Sequence, residues 1–308
     1  MYGIDKGTYK SPHSNGLHAH FTVAHSPQAV SDYLASLKRT DFKGWNPATE
    51  RWDTKWAGRK DLGGKKLTNL EGAALLGDYV EDDHKQIANA SKRMSDLVDS
   101  IDVSEFKRRL KWSDSRGRVN ATRLLNGDST FRRTIRKSSA PVEAVALVIP
   151  TMGNCNIKPE ILFAKTAVAL AASEILSEAG FTVEVWAYAF SEGCLRTAVN
   201  GTKNCIAAVQ LKAGDEPLNE AIAASGGSSW FFRSGMFAMW ATHGDAASHL
   251  GSARDLNPTE GADVCNVIGL DKAHVMRKAT SGTVEQAIKD GIEDVIQAIT
   301  AWTQATEE

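Results

Sequence analysis

Disulfide chemistry has little to work with in this chain, which holds four cysteines among 308 residues. Cys155, Cys194, Cys205 and Cys265 lie far apart without CxxC spacing, so they read as reduced thiols rather than a disulfide framework or zinc site. Long apolar runs are also missing. The longest, Ile161 to Ala172, is broken by Lys165 and Thr166 and falls short of the roughly 18–20 residues needed to cross a bilayer. The opening MYGIDKGTYKSPHSNG has no apolar core and no small-residue cleavage site, so no signal peptide is expected. No GxxxxGK[ST] loop or GxGxxG fingerprint occurs. Ser191-Glu192-Gly193 lacks the Gly-x-Ser-x-Gly elbow of a hydrolase. These gaps disfavour a membrane or secreted role, an NTPase and a dinucleotide enzyme.

What the chain does have is a globular composition, 42% hydrophobic and 24% charged, with an uneven charge distribution. Residues 1–103 balance, with 14 basic and 14 acidic side chains. Residues 104–137 hold 11 Lys/Arg against Glu105, Asp114 and Asp128, whereas residues 138–308 carry 11 basic and 20 acidic residues. Such asymmetry points to an acidic partner for the basic segment or to a contact between segments. Arg132, Arg133, Arg136 and Lys137, with Trp112 and Phe131 nearby, are the candidate nucleic-acid contacts. Cations would take the phosphates and aromatics would stack on bases. The blander alternative is a solvated region docked on the acidic half.

Pattern divides the chain into 1–137, irregular and helical, and 138–308, an α/β domain. Residues 1–27 are polar, with four histidines, and read as an irregular arm. Ser26-Pro27 opens a short helix with Val30, Tyr33, Leu34 and Leu37 on one face. A Trp-rich, Gly-rich stretch follows. A helical region over Asn69–Ile101 is split at Gly77-Asp78. Ala144–Ile149 (AVALVI), bounded by prolines, has the pattern of a strand buried on both faces. Pro159 opens a helix, apolar nearly all round, that runs to Ala179. Thr182–Phe190 and Cys205–Leu211 are strands. Their polar connection Ser191–Asn204 has no helical periodicity, so the two should be antiparallel. Helices are expected at Glu216–Ser225 and Trp230–Ala241, a last strand at Val264–Leu270, and a final amphipathic helix from a Thr283/Gln286 capping box.

Strand, buried helix, strand, antiparallel strand, helices, strand and helix is the order of the von Willebrand A fold. GRVNATRLLNGDSTFRR (Gly117–Arg133), the strand Ala144–Ile149, AGFTVEVWAYAF (Ala179–Phe190) and GDEPLNEAIAASG…WFFRSGMFAMW (Gly214–Trp240) together resemble an uncharacterised family of phage-type von Willebrand A-like proteins. The resemblance implies a doubly wound, mostly parallel α/β sheet with one antiparallel edge strand, and a viral origin in a host cytoplasm. A metal-binding von Willebrand A domain places Asp-x-Ser-x-Ser after its first strand. Here that turn reads Pro150-Thr151-Met152-Gly153-Asn154-Cys155-Asn156, with no anionic ligand for a hard cation, so neither metal nor cofactor is expected. Asn154 and Asn156 then serve to shape the turn and cap the helix.

Ligands of open α/β sheets bind beyond the carboxyl ends of the strands. Thr151, Gly153, Asn154, Asn156 and Asp271, with the loop Gly226–Ser229, are therefore the candidate partner loops. His18-x-His20 would place both rings on one side of an extended segment but lacks a third ligand. His243 would matter only if its loop folded over the sheet. The aromatics Trp230, Phe231, Phe232, Phe237 and Trp240 are assigned to the core. The leading reading is a non-enzymatic protein that recognises a protein partner, with homo-oligomers possible. The alternatives are nucleic-acid binding through residues 104–137 and a structural part of a virion.

Overall fold

The computed structural model describes residues 3–98, 110–113, 118–119, 132–135, 144–151 and 157–304, apart from positions 52, 79, 180, 215, 248–251, 253, 255 and 278–281. In chain order the first elements are β1 (Ile4–Lys10), β2 (His18–Ala24), α1 (Pro27–Ser36), β3 (Lys43–Gly44), α2 (Thr54–Ala57), α3 (Asn69–Ala73) and α4 (Glu81–Val98). The small strands β4 (Leu110–Ser113), β5 (Arg118–Val119) and β6 (Arg132–Ile135) follow, then β7 (Ala144–Pro150), α5 (Pro159–Ala179), β8 (Thr182–Ser191) and β9 (Cys205–Lys212). The chain continues through α6 (Glu220–Gly226), α7 (Ser229–Phe231), a π-helical turn (Phe232–Met236), α8 (Phe237–Ala241) and β10 (Asp245–Ala246). It ends with α9 (Pro258–Ile268), β11 (Ala273–Val275) and α10 (Val284–Gln304).

Six strands form one sheet in the order β1-β2-β9-β8-β7-β11. Three of its five pairings are parallel: β2 with β9, β7 with β8, and β11 with β7. β8 and β9 are antiparallel with no helix between them, and Ala187 stands opposite Val209. The hairpin expected from the polar connection is therefore present. β9 is not the edge strand expected of it. β2 pairs along its far side and β1 closes that edge.

This corrects the reading of residues 1–27 as an irregular arm. It also removes the separation between 1–137 and 138–308, because β1 and β2 complete the sheet of the second half. His20 and Thr22 hid the strand by placing polar side chains where the alternation should be apolar. Both are buried, at 3% and 0% exposure. A second correction concerns Val264–Leu270, which is helical. Asn257 caps α9 in a box with Glu260, Pro258 occupies the first turn, and Gly269 ends it at φ +83°. Val264, Cys265 and Ile268 are buried on one side, a helical spacing.

The sheet is covered on both faces. Val183, Val185, Ala187 and Ala189 of β8 pack into the larger cluster with α5, while Trp186, Tyr188 and Phe190 point to the smaller cluster with Val264, Cys265 and Ile268 of α9. That alternation is the period of a strand. α5 is buried along both sides as its composition required, and its Lys165 is neutralised by Asp294 of α10 at 2.8 Å, both side chains 1% exposed. Trp230, Phe231, Phe232, Phe237 and Trp240 are all core residues. α1 is capped by Ser26, the break at Gly77-Asp78 separates α3 from α4, and Thr283 accepts from Gln286 N–H at the start of α10. No helix among the described residues is long and apolar enough to cross a membrane.

Candidate functional site

The sequence-predicted partner loops do not converge. Thr151 is 2% exposed, and its N–H and hydroxyl both donate to the Tyr188 carbonyl at 2.9 Å, so it extends the β7–β8 ladder and is closed to a ligand. Gly153, Asn154 and Asn156 lie outside the described residues. Asp271 is exposed but sits at the wrong end of the sheet. It precedes β11, whose Ala273 pairs in parallel with Ala146 near the start of β7. The error follows from reading α9 as the last strand, which placed Asp271 after a carboxyl end instead of before an amino end. The loop Gly226–Ser229 borders an opening.

That opening is a cavity of about 640 Å³ beside the first turns of α4 and α5, the latter being the helix that follows β7. Its wall comes from five distant stretches: Gly58–Asp61, Val80–Gln86, Pro159–Phe163, Ser228–Trp230 and Val284 of α10. Phe163 and Trp230 supply apolar surface, and Asp61, Glu81, Asp82, Asp83 and Glu160 supply carboxylates. Lys85 pairs with Glu81 at 2.7 Å and Lys60 approaches Glu160 at 3.8 Å, leaving Asp82 and Asp83 to set the sign. Acidic residues in first helical turns also complement the helix dipole, which explains Glu81 and Glu160 without a ligand. Asp82 and Asp83 share that first turn, and what sets Asp83 apart is its titration. Burial, aided by Asp82 and Asp61 against the pull of Arg59, raises the Asp83 carboxyl to about 7.

Behind this wall Arg59 is 2% exposed and donates to Asp61 through Nε and Nη2 at 3.0 and 2.9 Å. Its guanidinium carbon lies 5.0 Å from the Trp230 ring centre. That ion pair holds the Asp61 carboxyl below the usual range, while Arg59 Nη1 has no acceptor.

A second polar group lies on β1 and β2, and here the loop carrying His243 does fold over the sheet. His20 and His243 stack with ring centres 5.4 Å apart. His20 Nε2 faces the Val199 carbonyl at 2.9 Å and Nδ1 faces Thr8 Oγ1 at 3.1 Å. A carbonyl only accepts, so Nε2 carries the proton and the Thr8 hydroxyl donates to Nδ1. His243 Nε2 meets Thr22 Oγ1 at 2.7 Å. Burial, then Lys6 and His20, hold His243 down at about 3, so the ring is neutral at physiological pH. Every imidazole nitrogen of His20 is used within the fold, so this group stabilises rather than waits for a metal. Among the described residues no cluster of three or more metal-ligating side chains forms.

Two features had no signal in the spacing of the sequence. Cys194 and Cys205 become neighbours: a hydrogen bond between the thiols, together with burial, raises the Cys205 thiol. Asp263, 1% exposed, accepts from Tyr9 Oη, Ser11 Oγ and Leu17 N–H at 2.9, 3.0 and 2.7 Å, which ties the β1–β2 turn to α9. Of the candidate nucleic-acid contacts, Arg132 and Arg133 lie on β6, in a separate three-stranded sheet β4-β6-β5. Arg136 and Lys137 lie outside the described residues.

Neither a curated protein nor a solved structure matches the chain. A family model described as a domain of unknown function, DUF7192, matches residues 23–287. That span runs from β2 into α10 and takes in the whole cavity wall, so the chain belongs to this family.

Proposed function

We propose that this chain is a recognition protein, not an enzyme, and that it docks a protein partner in the acidic cavity between α4 and α5. The observation that carries the reading is the lining. Carboxylates outnumber cations around about 640 Å³, and Asp83 is held there at a cost that a cation would relieve. The partner it suits presents a Lys or Arg beside an apolar residue, the cation for Asp82 and Asp83 and the apolar group for Phe163 and Trp230. The location beside the helix that follows β7 supports it, because open α/β sheets bind ligands on that side.

The finer fold assignment, von Willebrand A-like, is supported by the order β7-α5-β8-β9 with β9 antiparallel to β8, whereas a phage-type protein acting in a host cytoplasm is supported by the sequence resemblance alone. The added strands β2 and β1 depart from that pattern. A fold by itself does not carry a function, so the cavity and not the resemblance is the basis of the proposal.

Calorimetric titration with a capped Arg-Leu-Arg-Leu peptide tests it, with Glu-Leu-Glu-Leu as control. The basic peptide should bind with salt-sensitive affinity, and Asp82→Asn/Asp83→Asn should weaken it at least ten-fold while the protein stays folded. No binding, or binding unchanged in the double variant, overturns the reading.

A further inference from the structure

Five carboxylates line the cavity, and four of them are already answered by what lies beside them. Arg59 donates to Asp61 through Nε and Nη2, Lys85 pairs with Glu81, and Lys60 lies 3.8 Å from Glu160. Asp82 is exposed, where water solvates its charge. Asp83 differs from all four. It lines the same cavity and is partly buried, and its carboxyl has no hydrogen bond or ion pair among the described residues. Arg59 attracts its charge from the neighbouring wall, but the N–H groups that Arg59 uses go to Asp61, while Asp82 and Asp61 repel it. Charge on an unpaired carboxyl away from water is costly, and either a proton or a cation removes that cost.

We propose that docking in this cavity, a proposal that rests on the reading above, is gated by one proton on Asp83, so that the partner is held when the proton leaves and released on mild acidification. As the partner's cation arrives, the Asp83 O–H bond breaks, its electron pair stays on the carboxylate as the counter-charge, and the proton passes to the buffer. Burial raises this carboxyl to about 7, with Arg59 pulling it down and Asp82 and Asp61 pushing it up. Above that value the free site is charged and binds at full strength. Each pH unit below it leaves about ten-fold less of the competent form, until the bound carboxyl protonates as well.

Calorimetric titration of the full chain with capped Arg-Leu-Arg-Leu at pH 6, 7 and 8 tests the gate, since no group of that peptide titrates in this range. Affinity should rise about ten-fold from pH 6 to 8, the ratio of ionised fractions for a carboxyl near 7. At pH 7, heats in phosphate and in Tris should differ by the release of about half a proton per bound peptide, and at pH 8.5 by almost none. Asp83→Asn should bind weakly and equally across the range. Asp82→Asn should bind less tightly but keep the fall, moved to lower pH because one repelling charge is gone. His84→Gln should keep it too, since that ring, next to Asp83 on α4, is engaged by Glu220 at 2.6 Å. Equal affinity at pH 6 and 8 overturns the gate and leaves the docking site standing. A fall that survives Asp83→Asn, or disappears with His84→Gln, assigns the proton to another group and overturns it as well. No binding at any pH removes the docking reading and the gate with it.

Discussion

β7 and β2 fill the same interior in different ways. β7 does so with Val145, Leu147, Val148 and Ile149, all at 1% exposure or less, and each large aliphatic side chain removed from water contributes about 1.5–3 kcal/mol. β2, separated from it by β9 and β8, is flanked on both sides by partners yet buries His20 and Thr22. A buried polar atom costs free energy unless it finds a partner, and here both find one, in Val199, Thr8 and His243. β7 needs only volume, so many apolar side chains would serve it. β2 needs named partners at fixed distances, which ties it to the loops around Val199 and His243.

The largest effect expected from this contrast lies where burial and charge coincide. Asp294→Ala would leave the Lys165 ammonium buried and unpaired, which costs about 3–5 kcal/mol. Lys165→Met/Asp294→Leu should recover most of the loss, since apolar replacement of a buried ion pair is often neutral or better. Urea unfolding of the two variants checks this. A double variant as unstable as the single one would show that the bonds Asp294 accepts from the Arg277 Nε and backbone N–H, or the ion pair itself, hold α10 in place.

Leu147→Ala comes next, at about 3 kcal/mol for a fully enclosed leucine. His20→Leu keeps the bulk but removes the ring's bonds to the Val199 carbonyl and the Thr8 hydroxyl, which retain Thr202 N–H and Asn200 Nδ2 as donors, and should cost about 1 kcal/mol. Equal or greater stability of His20→Leu would mean that β2 tolerates an apolar interior as β7 does, and the contrast between the strands would fall. Both are read from denaturant midpoints.

The same contrast explains what the sequence disclosed. β7, α5, β8, β9 and α10 announced themselves because an aliphatic run or a three-and-four spacing has one economical burial. β1 and β2 did not, since pattern cannot tell a satisfied buried histidine from a solvated one. Val264–Leu270 misled through its valines and isoleucine, although Asn257-Pro258 with Glu260 before it and Gly269 after it bracket a helix. The cavity was illegible because its five wall segments meet only in the fold. The acidic first turn Glu81-Asp82-Asp83 was its single local trace, and that is also ordinary helix chemistry.

The smallest effect concerns pH, and it asks whether the polar core under β2 resists protonation. His243 is held near 3 in the fold against about 6.5 in an unfolded chain. Above 6.5 both states are neutral, and its contribution to stability is fully present. Between 6.5 and 3 the unfolded chain takes up a proton that the fold refuses, so stability falls as pH drops through this window. At pH 5.5 the loss is at most about 1.4 kcal/mol, the value of one pH unit, and it hardly depends on how far below 5.5 the folded value lies. The partial exposure of the ring brings the expectation down to about 1 kcal/mol. Asp83 carries the opposite sign, because its carboxyl, raised to about 7, gains a proton in the fold on the same acidification. The measurement therefore belongs in an Asp83→Asn background, comparing denaturant midpoints at pH 7.5 and 5.5. His243→Gln retains a partner for Thr22 and should lose the His243 share of the acid-side decline, leaving that of His274, which burial also holds below the usual range. A decline of equal size in that variant would place the sensitive group elsewhere and leave His243 no more constrained than a surface histidine.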